Sequence, residues 1–208
     1  REVVRVATPG TVLEPNMLTG SENNYLAALL QQRGQAGVAY VDVTTGEFCC
    51  TQFGGPELRS LLTAELRRLR PAELLVPVEQ ADVPDNSEEE EEPGLLAGQQ
   101  VSPEAAWLFA ESDARRALQE QFAVTSLEGF GCAGLPLAIG AAGALIAYLR
   151  ANQRAALPHL QTLTTYHVAQ YMHLDEATTR SLEIWGSNRH SDARGSLLGA
   201  LDSTVTSM

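Results

Sequence analysis

Two carboxylates flank a tight turn inside the apolar run "VAYVDVTTGEFCC", residues 38–50: Asp42 precedes Thr44-Thr45-Gly46 and Glu47 follows it. An acidic pair on adjoining strands is the beginning of a two-metal hydrolytic site, which needs several acids converging on ions about 3.5–4 Å apart. The candidates for further ligands are Glu73 and Glu79, at the two ends of "AELLVPVE"; the other acids fall on helices or in a glutamate run. That leaves the pair without the partners a metal site requires. Asp42 then reads as a turn-stabilising acceptor for nearby backbone amides.

The remaining chemistry-bearing residues are sparse. His159, His167, His173 and His190 show no HExxH-type spacing; His167 and His173, six apart, would share one face of a strand without forming a ligand set. Cys49, Cys50 and Cys132 lack a CxxC spacing and are odd in number, which argues against a disulfide framework or a zinc site and for reduced thiols in a cytoplasmic protein. No GxSxG or GxxxxGK[ST] occurs, and "GFGCAG", which has GxGxxG spacing, lacks the preceding strand of a phosphate loop and is only a weak sign of one. Arg67, Arg68 and Arg70 form the one dense basic cluster, read as a solvated helix end suited to the C-terminal dipole, with partner contact as the other reading. No catalytic, cofactor-binding or metal-ligating residue is assigned.

The elements that would position these residues follow from periodicity. "REVVRV" reads as a strand halted by Pro9-Gly10, and "GVAYVDV" with "EFCCTQF" as a hairpin in which Gly46 supplies positive φ. Leu58, Leu61, Leu62, Leu66 and Leu69 recur at helical spacing, predicting a helix over 56–70 that Pro71 stops. "AELLVPV" reads as a buried strand, so a strand-helix-strand unit points to an α/β sheet. "SPEAAWLFAESDARRALQEQF" reads as one helix with Ser102 at its N-cap and Pro103 at N1. A second, buried helix is predicted over 137–154. Between strand and helix lies "DVPDNSEEEEEPG", whose Glu88–Glu92 run reads as a self-repelling surface loop or an acidic docking element. Beyond Pro158 the pattern changes: a β-prone stretch, a helix with Asp175 as N-cap, then a helix start in "SLLGALDSTVTSM".

Length and charge bound the function. The chain has 208 residues, enough for one large domain or one and part of another, with 44% hydrophobic and 19% charged residues. Twenty-six acidic residues against 14 basic ones, all arginine, give a formal net charge of -12, which disfavours autonomous nucleic-acid binding. Arg180, Arg189 and Arg194 are the candidates for local DNA contact in the last segment. The longest apolar stretch, Leu135 to Leu149, is shorter than the roughly 18 residues of a membrane helix and reads as buried, so no membrane association is expected. Beginning at Arg1-Glu2 with no leader, the chain has the look of an excised piece of a longer protein.

Several stretches, in order, resemble one family: "RVATPGTV", "NNYLAAL", "GVAYVDVTTGEF", "LRRLRPAELLVP", "LEGFG", "LPHLQTL", "LDEATTRSLEI" and "GSLLGALDSTVTSM" are similar to the middle of the bacterial MutS family of DNA mismatch-repair proteins. The resemblance covers nearly the whole chain and is weakest in the glutamate loop. It implies a connector domain over 1–156 with a ribonuclease-H-like fold, a mixed sheet flanked by helices, followed at 157–208 by the start of a helical core or lever domain. It implies a non-catalytic role, linking mismatch-binding and ATPase domains and offering a docking surface for a MutL-like protein. Mismatched DNA, ATP and Mg would be handled by other domains of a full-length, homodimeric parent. The alternative is a ribonuclease-H-like metal-dependent nuclease, since that architecture presents its first metal-binding carboxylate on a central strand before a hairpin, where Asp42 stands.

Overall fold

In the computed structural model the described residues are 8–11, 23–81, 96, 98–152, 154–170, 176–184 and 195–201. A mixed sheet is at the centre. β1 (Tyr25–Gln32), β2 (Gln35–Asp42) and β3 (Phe48–Gly54) form an antiparallel meander, and β4 (Glu73–Pro77), β5 (Val101–Glu104) and the two-residue β6 (Thr164–Thr165) join it in parallel, in the order β5-β4-β1-β2-β3-β6. The β1–β2 link is two residues, Arg33 and Gly34, both at positive φ, a turn whose twist suits a hairpin. This is the ribonuclease-H-like sheet that the sequence resemblance implies.

Each face of the sheet carries its own core. On one side α1 (Leu58–Leu69) sets Leu62, Leu66 and Leu69 against Ala27, Leu29, Val38 and Leu74. On the other, α3 (Glu111–Phe122) and α4 (Pro136–Asn152) pack against Leu26, Ala28, Ala39, Val41 and Phe48. Strand alternation decides which residues reach which core. α4 is buried along most of its length and holds its place through small residues: a Cβ at Gly37 would run into the backbone of Leu137, and one at Gly143 into Ala114. Its free N-terminal amides find an acceptor across the interface, since the N–H groups of Leu137 and Ala138 donate to Gln52 Oε1 of β3 at 2.9 and 3.3 Å.

α1 spans its leucine stripe, starting two residues later and ending one earlier than the expected 56–70, and is capped by Arg70, which takes φ 45° and returns its N–H to the Leu66 carbonyl. The larger departure is at 101–110. Instead of capping a helix, Ser102 and Pro103 lie in β5, and a 3-10 turn at Ala106–Phe109 precedes α3, whose N-cap is Ala110. The cap-like residues serve the sheet: the Ser102 hydroxyl donates to Glu73, and an edge strand tolerates the missing N–H of Pro103. α2 is a four-residue turn at Val78–Ala81. Among its described residues the β-prone stretch after Pro158 supplies one strand, β6, and Leu160, Leu163 and Tyr166 around it are buried with the cores. Short helices follow at α5 (Glu176–Ser181) and α6 (Leu197–Leu201). The strand expected at Val3–Val6, the Glu88–Glu92 loop and the Asp175 cap lie outside the described residues. None of the described helices is long and apolar enough to cross a membrane.

Candidate functional site

The β2–β3 turn is built by its own polar residues. The Asp42 N–H donates to the Glu47 carbonyl and the Gly46 N–H to the Asp42 carbonyl, both at 2.9 Å, with Gly46 at φ 80°. Asp42 Oδ1 accepts from the Thr44 amide at 2.8 Å, the Thr44 hydroxyl at 2.6 Å and the Thr45 amide at 3.4 Å, while Oδ2 accepts from the Asn24 amide at 3.3 Å. Asp42 is fully buried, and both of its oxygens are engaged by this chain's own donors. That arrangement fixes a turn; a metal would have to displace those donors.

Glu47 is occupied differently. Its two oxygens accept the hydroxyls of Tyr25 and Tyr40 at 3.0 and 3.1 Å. Burial, and after it the Glu47 charge, pushes the Tyr25 phenol up to about 12. The Tyr40 phenol is also raised, by burial first.

Sheet parity separates the other candidate acids. Asp42 is opposite Tyr25 in the β1–β2 ladder, whereas Glu73 is opposite Leu26 in the β1–β4 ladder. Successive residues of a strand face opposite ways, so Asp42 shares the α1 face with Tyr25 and Tyr40, while Glu73 shares the α4 face with Leu26. Glu73 is itself buried and accepts from Ser102 Oγ at 2.7 Å, the Tyr148 hydroxyl at 2.8 Å and the Gly10 amide at 3.1 Å. It ties β4, β5, α4 and the 8–11 segment together. Glu79 is exposed on α2, past the opposite end of β4. Among the described residues no group of three or more His, Cys, Asp or Glu could hold a metal ion.

The remaining candidates do not converge. His159 and His167 are exposed on separate turns, and His173 and His190 are outside the described residues. Arg67, Arg68 and Arg70 are all exposed, but Arg68 also reaches back: it pairs with the buried Glu65 at 2.6 Å and places its guanidinium 5.5 and 5.9 Å from the ring centres of Tyr166 and Tyr40. The Tyr166 hydroxyl donates to the same Glu65. The basic cluster is thus split, one arginine serving as an internal tie between α1, β2 and the chain after β6. Arg180 is exposed on α5, while Arg189 and Arg194 lie outside the described residues.

Periodicity does not single out Trp107, because a helix over "SPEAAWLFAESDARRALQEQF" places 106–109 in its interior. Trp107 is 67% exposed at one end of an open groove between α3 and α4, about 440 Å³ in volume. Arg116, Glu120 and Arg150 line that groove, with Arg150 bonded to Glu120 at 3.1 Å and to the Ala117 carbonyl. A solvent-facing indole beside paired charges is suited to a protein partner.

Comparison with known proteins agrees with this picture. The family model described as MutS domain II matches residues 24–161. Proteins named DNA mismatch repair protein MutS match the whole chain: those of Acaryochloris marina at 43% identity and Thermosynechococcus vestitus at 44%, each with 24% of its own length covered. That of Symbiobacterium thermophilum matches at 41%, with 23% covered. The chain spans about a quarter of the length of these relatives.

Proposed function

As the chain belongs to the MutS family of DNA mismatch repair proteins, we propose that it acts as that family's connector: a non-catalytic body that links mismatch-binding and ATPase domains and gives a MutL-like protein a place to dock. The observation that carries this reading is the use of the buried acids. Asp42, Glu65 and Glu73 each accept several internal hydrogen bonds and stiffen the sheet, so the chain's most chemically suggestive groups act as scaffold. Coupling between distant sites needs such a rigid body with separate exposed faces.

In this reading the unit assigned to 1–156 is the connector and 157–208 opens the core, with β6 and Tyr166 as the junction where the second is fastened to the first. The parent is a homodimeric cytoplasmic ATPase that meets mismatched DNA, ATP and Mg through its other domains. The groove beside Trp107 is the proposed MutL-facing surface, because an exposed aromatic anchor and paired charges meet there. Crosslinking of the full-length protein with its cognate MutL, followed by peptide mapping, tests this. Crosslinks are expected on α3 and around Trp107; their absence from all of residues 1–156 overturns the docking role. Incubating the chain with Mg²⁺ or Mn²⁺ and nucleic acids tests the nuclease alternative, which cleavage abolished by Asp42→Asn would establish.

A further inference from the structure

The buried Glu73 carboxylate divides its oxygens between two kinds of donor. Oε1 accepts the hydroxyls of Ser102 and Tyr148, at 2.7 and 2.8 Å, which belong to β5 and α4. Oε2 accepts the Gly10 amide at 3.1 Å, from a segment outside the sheet and its flanking helices. That segment, residues 8–11, is a 3-10 turn at Pro9–Thr11 closed on itself: the Thr8 amide donates to Thr11 Oγ1 and the Thr11 amide to the Thr8 carbonyl, both at 2.9 Å. Gly10 and Thr11 are buried, and the Asn24 side-chain amide donates to the Pro9 carbonyl at 3.0 Å. The seat is close-fitting. A Cβ at Gly10 would come 2.9 Å from Leu26 Cδ1 and 3.0 Å from Glu73 Cβ, so this glycine is used for close approach.

We propose that residues 8–11 are a releasable strap and the Glu73 carboxylate its seat, a conformational device that lets the chain ahead of β1 dock on the sheet and leave it while the sheet stays folded. Three features favour a strap over a fixed brace. The seat outlasts the strap: with the turn away, Ser102 and Tyr148 still hold Oε1, and Oε2 is uncovered to water rather than left buried without a donor. The grip is small and polar, since Pro9 is exposed, Gly10 has no side chain and Thr11 carries a hydroxyl; release therefore exposes little apolar surface. The second anchor also stays behind, because the backbone amide of Asn24 donates to Asp42 Oδ2 at 3.3 Å whether or not its side chain holds Pro9.

Under the connector reading, the chain leading into Thr8 joins the sheet to a neighbouring domain, and a pull along it is met first at Glu73. From there it reaches α4 through Tyr148 and β5 through Ser102. That use of the strap rests on the connector reading; its release does not.

Amide hydrogen exchange resolved by NMR on the 208-residue chain tests the proposal. The Gly10 amide should be protected yet exchange through an opening that urea hardly affects, while amides of the β1–β2 ladder exchange through one that urea strongly promotes. Glu73→Gln keeps an oxygen for Ser102 and Tyr148 but turns an NH2 group toward the Gly10 amide, and should speed Gly10 exchange about tenfold or more, as expected for a lost hydrogen bond to a charged acceptor. Asn24→Ala removes the other anchor without touching Glu73 and should speed it several-fold. Ladder rates should not move in either variant. Gly10 exchanging at the rate of an unstructured chain, Gly10 and the ladder sharing one urea dependence, or a Gly10 rate that neither variant moves each overturns the proposal. Absence of MutL crosslinks in the full-length protein would leave these rates as they are, so the two readings fail separately.

Discussion

Asp42 and Glu73 show how a single residue's neighbours decide its role. Both are buried carboxylates at one end of the same sheet, yet each is engaged by this chain's own donors and they face opposite cores. Asp42→Ala leaves the amides of Asn24, Thr44 and Thr45 without their acceptor and is expected to cost about 2–3 kcal/mol in urea unfolding, while Asp42→Asn, which keeps one acceptor oxygen, should cost less. The phenols near these acids give a second prediction. Burial first, then Glu47, raises Tyr25 to about 12, and burial raises Tyr148, which also donates to Glu73, to about 12. The fold holds these groups protonated, so their contribution is complete below the unfolded phenol value of about 10 and is lost as pH rises from there to about 12. Thermal melts from pH 9 to 12 should fall across that window, and Tyr148→Phe should flatten the fall while lowering stability at neutral pH.

At the level of elements, α4 shows what close packing requires. The helix lies against β2 and α3 at glycines, so Gly37→Ala forces a methyl into the Leu137 backbone, where no side chain can rotate away. It is expected to destabilise by roughly 3 kcal/mol or more, read as a lowered urea midpoint or loss of soluble folded chain. The leucine stripe of α1, the 38–50 hairpin and the buried strand at 73–77 were legible because a single periodicity governs each. The 101–110 segment was not. Ser-Pro-Glu is a helix-start pattern wherever local propensity decides, but here the open edge of β4 and the buried Glu73 carboxylate recruit it as a strand. Likewise, the β1–β2 turn at Arg33-Gly34 holds a non-glycine residue at positive φ, and no spacing in the sequence announces that.

For the molecule as a whole, the docking role predicts a division between stability and binding. Trp107→Ala removes an exposed side chain, so melting should change little, while affinity for MutL should fall about tenfold or more in a titration by biolayer interferometry. Equal affinity would move the docking face elsewhere. The sequence by itself determined the class of fold and the family, since ordered motifs, an α/β alternation and an acidic balance are all carried by residue types and spacing along the chain. Which acids could act together was decided only by the tertiary structure. Register sends neighbouring residues to opposite cores, and contacts such as Glu73 with Tyr148 or Glu65 with Tyr166 arise between segments that nothing local connects. The β2–β3 turn carries the same lesson: Asp42 and its acceptance of nearby amides were legible locally, whereas the Asn24 amide reaches it only because the fold brings β1 alongside.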